Sequence, residues 1–297
     1  MTHLQGKMDR SLWQKQATTW FLHSTYQRTF NLTNQHYQEL ALVAPIDFPC
    51  LPGGIYLPYP IFDEVFGTIQ QLQKVTLHEN QLVFYLDQKK VTVTMGETFD
   101  SRLQIHASIL PSECLFLQKI QENNEMTGFD YPLSAFSSAK TFPFRQEIQG
   151  LFSNELTDKQ QSLTYLVGRG RGLTPSGDDF LLGWLLVQQL KQDNLENNEL
   201  IMQKAQSPDY TTDVSRHYFR QAATGCYSQA LLNLAKTLVE PANEQVRGIT
   251  YQQENVYKEK YLYYGFANNA TVLLTSDSNI QNYTSLLYEY ENVQLYH

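Results

Sequence analysis

Along the first half of the chain, apolar positions recur in short alternating runs rather than at helical spacing. The stretch QLVFYLDQKKVTVTM, 81–95, holds two such runs around the polar turn Asp87-Gln88-Lys89-Lys90, which predicts a β-hairpin. LALVAP and GIYLPYP are brief apolar segments bounded by Pro and Gly, as strands and their loops are. Ahead of them, DRSLWQKQATTWFLHSTYQ spaces Leu12, Trp13, Trp20 and Phe21 irregularly, and a helix is expected there.

From about Glu147 the period changes. DKQQSLTYLVG predicts a helix ending at Gly168, the residue type that most often follows a helix C-terminus. Thr174-Pro175 predicts the next helix start, with Thr as cap and Pro at the first helical position. The run that follows is apolar through Val187, so this helix belongs inside a core. Val214, Tyr218, Ala222, Cys226, Ala230, Leu234 and Leu238 recur every four residues, which predicts one long helix. The polar run QLKQDNLENNEL reads as a solvated connection between helices. The fold expected is α+β, a β-rich N-terminal part (1–145) packed with a mainly helical C-terminal part (146–297) that carries a glycine-rich loop.

Composition narrows the function classes. The 297 residues suffice for a substantial core, and 42% apolar content is ordinary for a globular protein. Lys and Arg number 22 against 30 Asp and Glu, a net charge of −8, with no basic run; nucleic-acid and membrane-surface partners are not expected. Cys50, Cys114 and Cys226 are odd in number and form no CxxC pair, which argues against a disulfide framework or a zinc finger. No signal-type or membrane-spanning apolar run is present, so a cytoplasmic protein is expected.

One stretch stands apart: GRGRGLTPSGDDFLLGW, residues 168–184, holds five of the 15 glycines. Gly168, Gly170 and Gly172 permit positive φ and close approach of a ligand. The N–H groups of Ser176, Gly177 and Asp178 would lie at the positive end of the following helix, a natural anion site. Arg169 and Arg171 could add bidentate contacts to phosphate or carboxylate, and Thr174 and Ser176 offer hydroxyls. Asp178 and Asp179 would repel a bare phosphate but could hold Mg²⁺, which in turn holds one. No Gly-Lys-Ser/Thr closes the loop, which disfavours a nucleotide site. The plainer reading is a structural connector whose first-turn Asp residues merely suit the helix dipole. Both readings fit the residues. Nearby, Thr211, Thr212, Asp213 and Ser215 look like helix-cap chemistry, with the option of a second helix N-terminus facing the same ligand. Arg216 and Arg220 suit a solvated face more than an anion clamp. His217 reads as structural, and Cys226 as a core residue.

The same stretch resembles the signature Gly-x-Gly-x-Gly-Leu-Thr-Pro-x-Gly-Asp-Asp of the family that includes the AllH subunit of oxamate carbamoyltransferase. TTDVSRHYFRQAATGCYSQAL is similar to the family's Thr-containing segment, with a Ser three residues after the Thr and a downstream Ala and Gly. The resemblance implies carbamoyl transfer between carbamoyl phosphate and oxamate or a similar small anion, within a hetero-oligomer of carbamoyltransferase subunits. It implies catalytic roles for Arg171, Thr174, Asp178 and Asp179, the two Asp also being the candidate Mg²⁺ ligands. Substrate contacts would fall to Gly168, Arg169, Gly170, Gly172, Ser176, Gly177, Thr212 and Ser215. The chain departs from the family near its C-terminus. Where the family carries Gly-x-x-Ser-Gly-x-Asp, residues 265–274 read GFANNATVLL, with Asn268, Asn269 and Thr271 at the Ser, Gly and Asp positions. If that segment contributes to the site, the departure implies altered or lost activity, and a noncatalytic metabolite-binding or structural subunit is the alternative.

Overall fold

A computed structural model describes residues 5–15, 18–34, 39–105, 129–131, 144–190 and 196–239. The chain divides after Arg102 into two compact units. The boundary expected near residue 145 and this division differ by a segment most of which lies outside the described residues. The class is α+β, as expected.

Unit one is an eight-stranded closed barrel. Its strands are β1 (Gln5–Asp9), β2 (Thr19–Thr25), β3 (Phe30–Asn34), β4 (Leu40–Pro45), β5 (Gly54–Leu57), β6 (Leu72–His78), β7 (Gln81–Leu86) and β8 (Lys90–Phe99). Around the barrel they run β1-β5-β4-β3-β2-β6-β7-β8. The β1–β8 and β4–β5 pairs are parallel and the others antiparallel. The predicted hairpin is β7–β8, with Leu82 opposite Val93 and Phe84 opposite Val91. The period-2 pattern explains the interior: Leu82, Phe84, Leu86, Val91, Val93 and Met95 are all buried, and the residues between them are less so. Closure leaves no open sheet edge. Helix α1 (Arg10–Trp13) is one turn, capped by Asp9, whose other carboxylate oxygen accepts the Gly53 N–H at 3.1 Å. Helix α2 (Tyr59–Gly67) stacks Phe62 and Phe66 near Phe30. The helix expected over residues 9–27 is corrected to this single turn followed by β2. Thr19, Trp20 and Phe21 are good strand formers, and pairing with β3 and β6 satisfies their backbone.

Unit two is helical: α3 (Arg145–Gly150), α4 (Leu156–Leu166), α5 (Ser176–Leu190), α6 (Glu196–Ala205), α7 (Asp213–Ala223) and α8 (Gln229–Val239). Helix α5 is the centre of its core. From Ser176 to Val187 every residue is buried, and Leu166, Ile201, Phe219, Leu231 and Ala235 from the other helices belong to the same cluster. α4 ends where expected, with Gly168 at φ +74° just beyond.

Two further expectations are corrected. The single long helix is α7 and α8, separated at Gly225, whose φ is +79°. A strict four-residue stripe advances about 40° around a helix at each step, so seven positions cannot all face one core. The buried face of α7 is instead Ser215, His217, Phe219 and Ala222, and the chain restarts to present Leu231 and Ala235. The supposed polar connection folds from Glu196 as α6, which buries Asn198, Ile201 and Ala205.

Candidate functional site

The glycine loop runs from the end of α4 to the start of α5 and is held at both ends by the segment entering α7. At its start, Gly168 donates its N–H to Asp178 Oδ1 at 2.7 Å, and the Thr211 hydroxyl donates to Asp178 Oδ2. At its end, the Thr212 hydroxyl donates to the Leu173 carbonyl at 2.5 Å and accepts the Ser215 N–H at 3.0 Å, capping α7. Gly168 is packed so closely that a Cβ there would lie 1.7 Å from the Tyr210 carbonyl oxygen. A Cβ on Gly177 would lie 1.9 Å from the Leu166 carbonyl oxygen. These two glycines let three chain segments touch.

Asp178 is the hub of this brace and is fully buried. Burial raises its pKa from 3.8 to about 6, against the opposing pull of the Thr211 hydroxyl and the Gly168 N–H. Asp179 is also buried.

The predicted site residues therefore fall into two sets. Arg169, Gly170, Arg171 and Gly172 form an exposed arch; Gly168, Leu173 and Thr212 are half-buried at its feet. Thr174, Ser176, Gly177, Asp178, Asp179 and Ser215 are buried beneath it. Of the three amides expected to be free for an anion, Ser176, Gly177 and Asp178, the last two are engaged. Gly177 N–H donates to the Arg169 carbonyl at 2.7 Å, and the Asp178 and Asp179 N–H groups donate to the Pro175 carbonyl at 2.8 and 3.1 Å. The helix start is thus one residue later than expected, with Pro175 accepting its first bond. The Thr174 hydroxyl does not cap it; it is buried with no hydrogen-bond partner among the described residues.

Both oxygens of Asp178 accept protein donors, and among the described residues no three His, Cys, Asp or Glu side chains converge as a metal cluster would.

The two arch arginines differ. Arg171 is 77% exposed and stands 3.6 Å from the carboxylate of Asp130, itself 75% exposed, an ion pair of little energy. The Arg169 guanidinium lies over the Tyr165 ring at 4.0 Å and the Phe144 ring at 4.9 Å. Arg216, on α7, pairs with Asp213 and donates to the Thr211 carbonyl at 2.9 Å, a structural use rather than a clamp. His217 packs edge-on to Tyr218 and Cys226 is buried, as expected of structural residues. Sequence reading passed over Tyr165, Phe144 and Asp130. Nothing local marks them, since the helix that carries Tyr165 ends at Leu166, before Arg169.

The loop and its brace can be compared with known proteins. Residues 166–255 match the family described as oxamate carbamoyltransferase subunit AllH. Over that stretch, under a third of the chain, the sequence is similar to the AllH family. The AllH match takes in the whole arch, its buried base, and α5 to α8, so the resemblance and the brace fall on the same residues. No curated protein and no solved structure matches the chain. The divergent segment 265–274 lies outside both the AllH match and the described residues.

Proposed function

We propose that this chain is a subunit of a carbamoyltransferase-type assembly acting on small anionic metabolites, carbamoyl phosphate with oxamate or a similar carboxylated amide. The observation that carries the reading is the AllH match over a loop that displays two arginines on a tightly braced arch. In such a transfer the acceptor nitrogen attacks the carbamoyl carbon and loses a proton. The C–O bond to phosphate breaks, and phosphate leaves with the bonding electrons. The reaction needs positioned anions and a stabilised oxyanion more than a protein nucleophile. Arg169 and Arg171 would hold the anionic ends. Asp178, with Thr211 and Thr212, would keep the arch in place, without contacting substrate.

The test is oxamate-dependent phosphate release from carbamoyl phosphate by the complex that this chain forms with its partner subunits. An R169A/R171A double variant is expected to lose activity by about 100-fold, two charge-assisted contacts at about tenfold each. Full turnover by that variant would move the chain to a second reading, a noncatalytic metabolite-binding or structural subunit. One observation favours that second reading: the Gly177 and Asp178 amides, two of the three expected to serve an anion, already serve the protein's own carbonyls.

A further inference from the structure

We infer that Arg169 is the loop's oxyanion-recognition residue, and that Tyr165 and Phe144 form an aromatic cradle holding its guanidinium ready for a phosphate or carboxylate. This deepens the proposed function and rests on it only for the identity of the ligand.

Arg169 is fixed through its backbone as well as its side chain. Its N–H donates to the Leu166 carbonyl at 3.0 Å, and its carbonyl accepts the Gly177 N–H at 2.7 Å. The two rings under its guanidinium stand 5.5 Å apart at 51°. Phe144 is braced in turn by Phe129 at 5.1 Å and by the edge of Tyr131 at 5.6 Å. Phe144 also holds a left-handed backbone, φ 55° and ψ 31°, which a residue with a Cβ keeps only where its surroundings impose it.

Ring contact uses the faces of a guanidinium and leaves its N–H edges in plane, the edges that take two oxygens of a carboxylate or phosphate side by side. Among the described residues those edges meet no carboxylate and no other hydrogen-bond partner. The neighbouring arginines lack this combination. Among the described residues Arg171 has an acidic partner and no ring beneath it, and Arg216 is tied to Asp213 and the Thr211 carbonyl. An arginine with its rotamer restrained by two rings gives up little conformational entropy when an anion arrives. That is the physical case for Arg169 over Arg171 as the recognising group. Tyr165 is then a positioning residue: it acts through the arginine, by its ring rather than its hydroxyl.

The test is titration of the full-length chain with inorganic phosphate and, separately, with oxamate, using wild type and the variants R169K, Y165F, Y165L and R171A. R169K keeps the charge and loses the fork; it is expected to weaken binding about 10-fold. Y165L removes the ring and is expected to weaken it about 3-fold, whereas Y165F keeps the ring and stays within about 2-fold of wild type. R171A is expected to cost less than R169K. The arm in which R169K and Y165L act identifies the ligand group as phosphate or as carboxylate. The inference is overturned if neither probe binds wild type, if R169K binds like wild type, if R171A costs more than R169K, or if Y165F loses as much as Y165L. Should Y165L fail to fold, R169K against R171A decides the matter alone. Binding at Arg169 without carbamoyl transfer by the assembled complex would overturn the proposed reaction and leave this inference standing.

Discussion

Asp178 shows how a residue type admits several roles until its neighbours are known. A carboxylate in the first turn of a helix suits a metal ligand, an acid–base group or a dipole partner. Here it receives the Gly168 N–H and the Thr211 hydroxyl while wholly buried, which makes it a clasp. Its pKa, raised to about 6 chiefly by burial, gives a pH signature. Because the folded value lies above the unfolded one, the folded state holds the proton more tightly. The stabilisation is complete below about pH 4 and is lost as pH rises toward 6. The gap from 3.8 to about 6 corresponds to about 3 kcal/mol. Asn can accept from Gly168 and donate to the Thr211 oxygen, so D178N should fold without this titration. Denaturant unfolding of both forms between pH 4 and 7 should show wild-type stability falling relative to D178N up to about pH 6 and levelling above. A constant difference across that range would mean that Asp178 is not the buried carboxylate described.

The loop as a unit divides its glycines by what surrounds them. Gly168 has φ +74° and no room for a Cβ beside the Tyr210 carbonyl; Gly172 has φ +91° with nothing within 4 Å. G168A should therefore cost more than G172A, for which only the backbone conformation opposes a Cβ, about 1–2 kcal/mol. Thermal unfolding of the two single variants checks this, and equal losses would contradict the close contact with residue 210. The sequence made the loop conspicuous, and it also predicted α4, the apolar α5 and the β7–β8 hairpin. Their periods and end signals are local and strong. It could not show that Thr211 and Thr212 close the loop, because those contacts join residues more than thirty positions apart. Nor could it show that the Gly177 amide is spoken for, since that depends on where the Arg169 carbonyl turns.

Each of the two units carries its own hydrophobic cluster, one filling the barrel and one surrounding α5. A fully buried Phe84 inside the barrel makes that filling testable. F84A should lower stability by about 3–5 kcal/mol in urea unfolding followed by a barrel-sensitive probe. A loss below about 1 kcal/mol would mean that the barrel interior collapses around the change. No helix among the described residues is long and apolar enough to cross a membrane. Alternation of apolar residues foretold strands in the first unit, but not that they close in the order β1-β5-β4-β3-β2-β6-β7-β8. Strand order depends on pairings between distant segments, and the period of any one strand is silent about its neighbours.

The sequence by itself determined the α+β class, the central apolar helix, the glycine loop and the family resemblance that the AllH match upholds. These depend on periodicity, end signals and a contiguous motif, all of them local properties. Tertiary structure alone decided which of the loop's charged groups are buried as supports and which are displayed. Asp178 became a clasp and Arg169 a cradled cation because segments far apart in sequence meet there. Burial and hydrogen-bond partnership arise from those meetings, and together they set what a charged side chain can do.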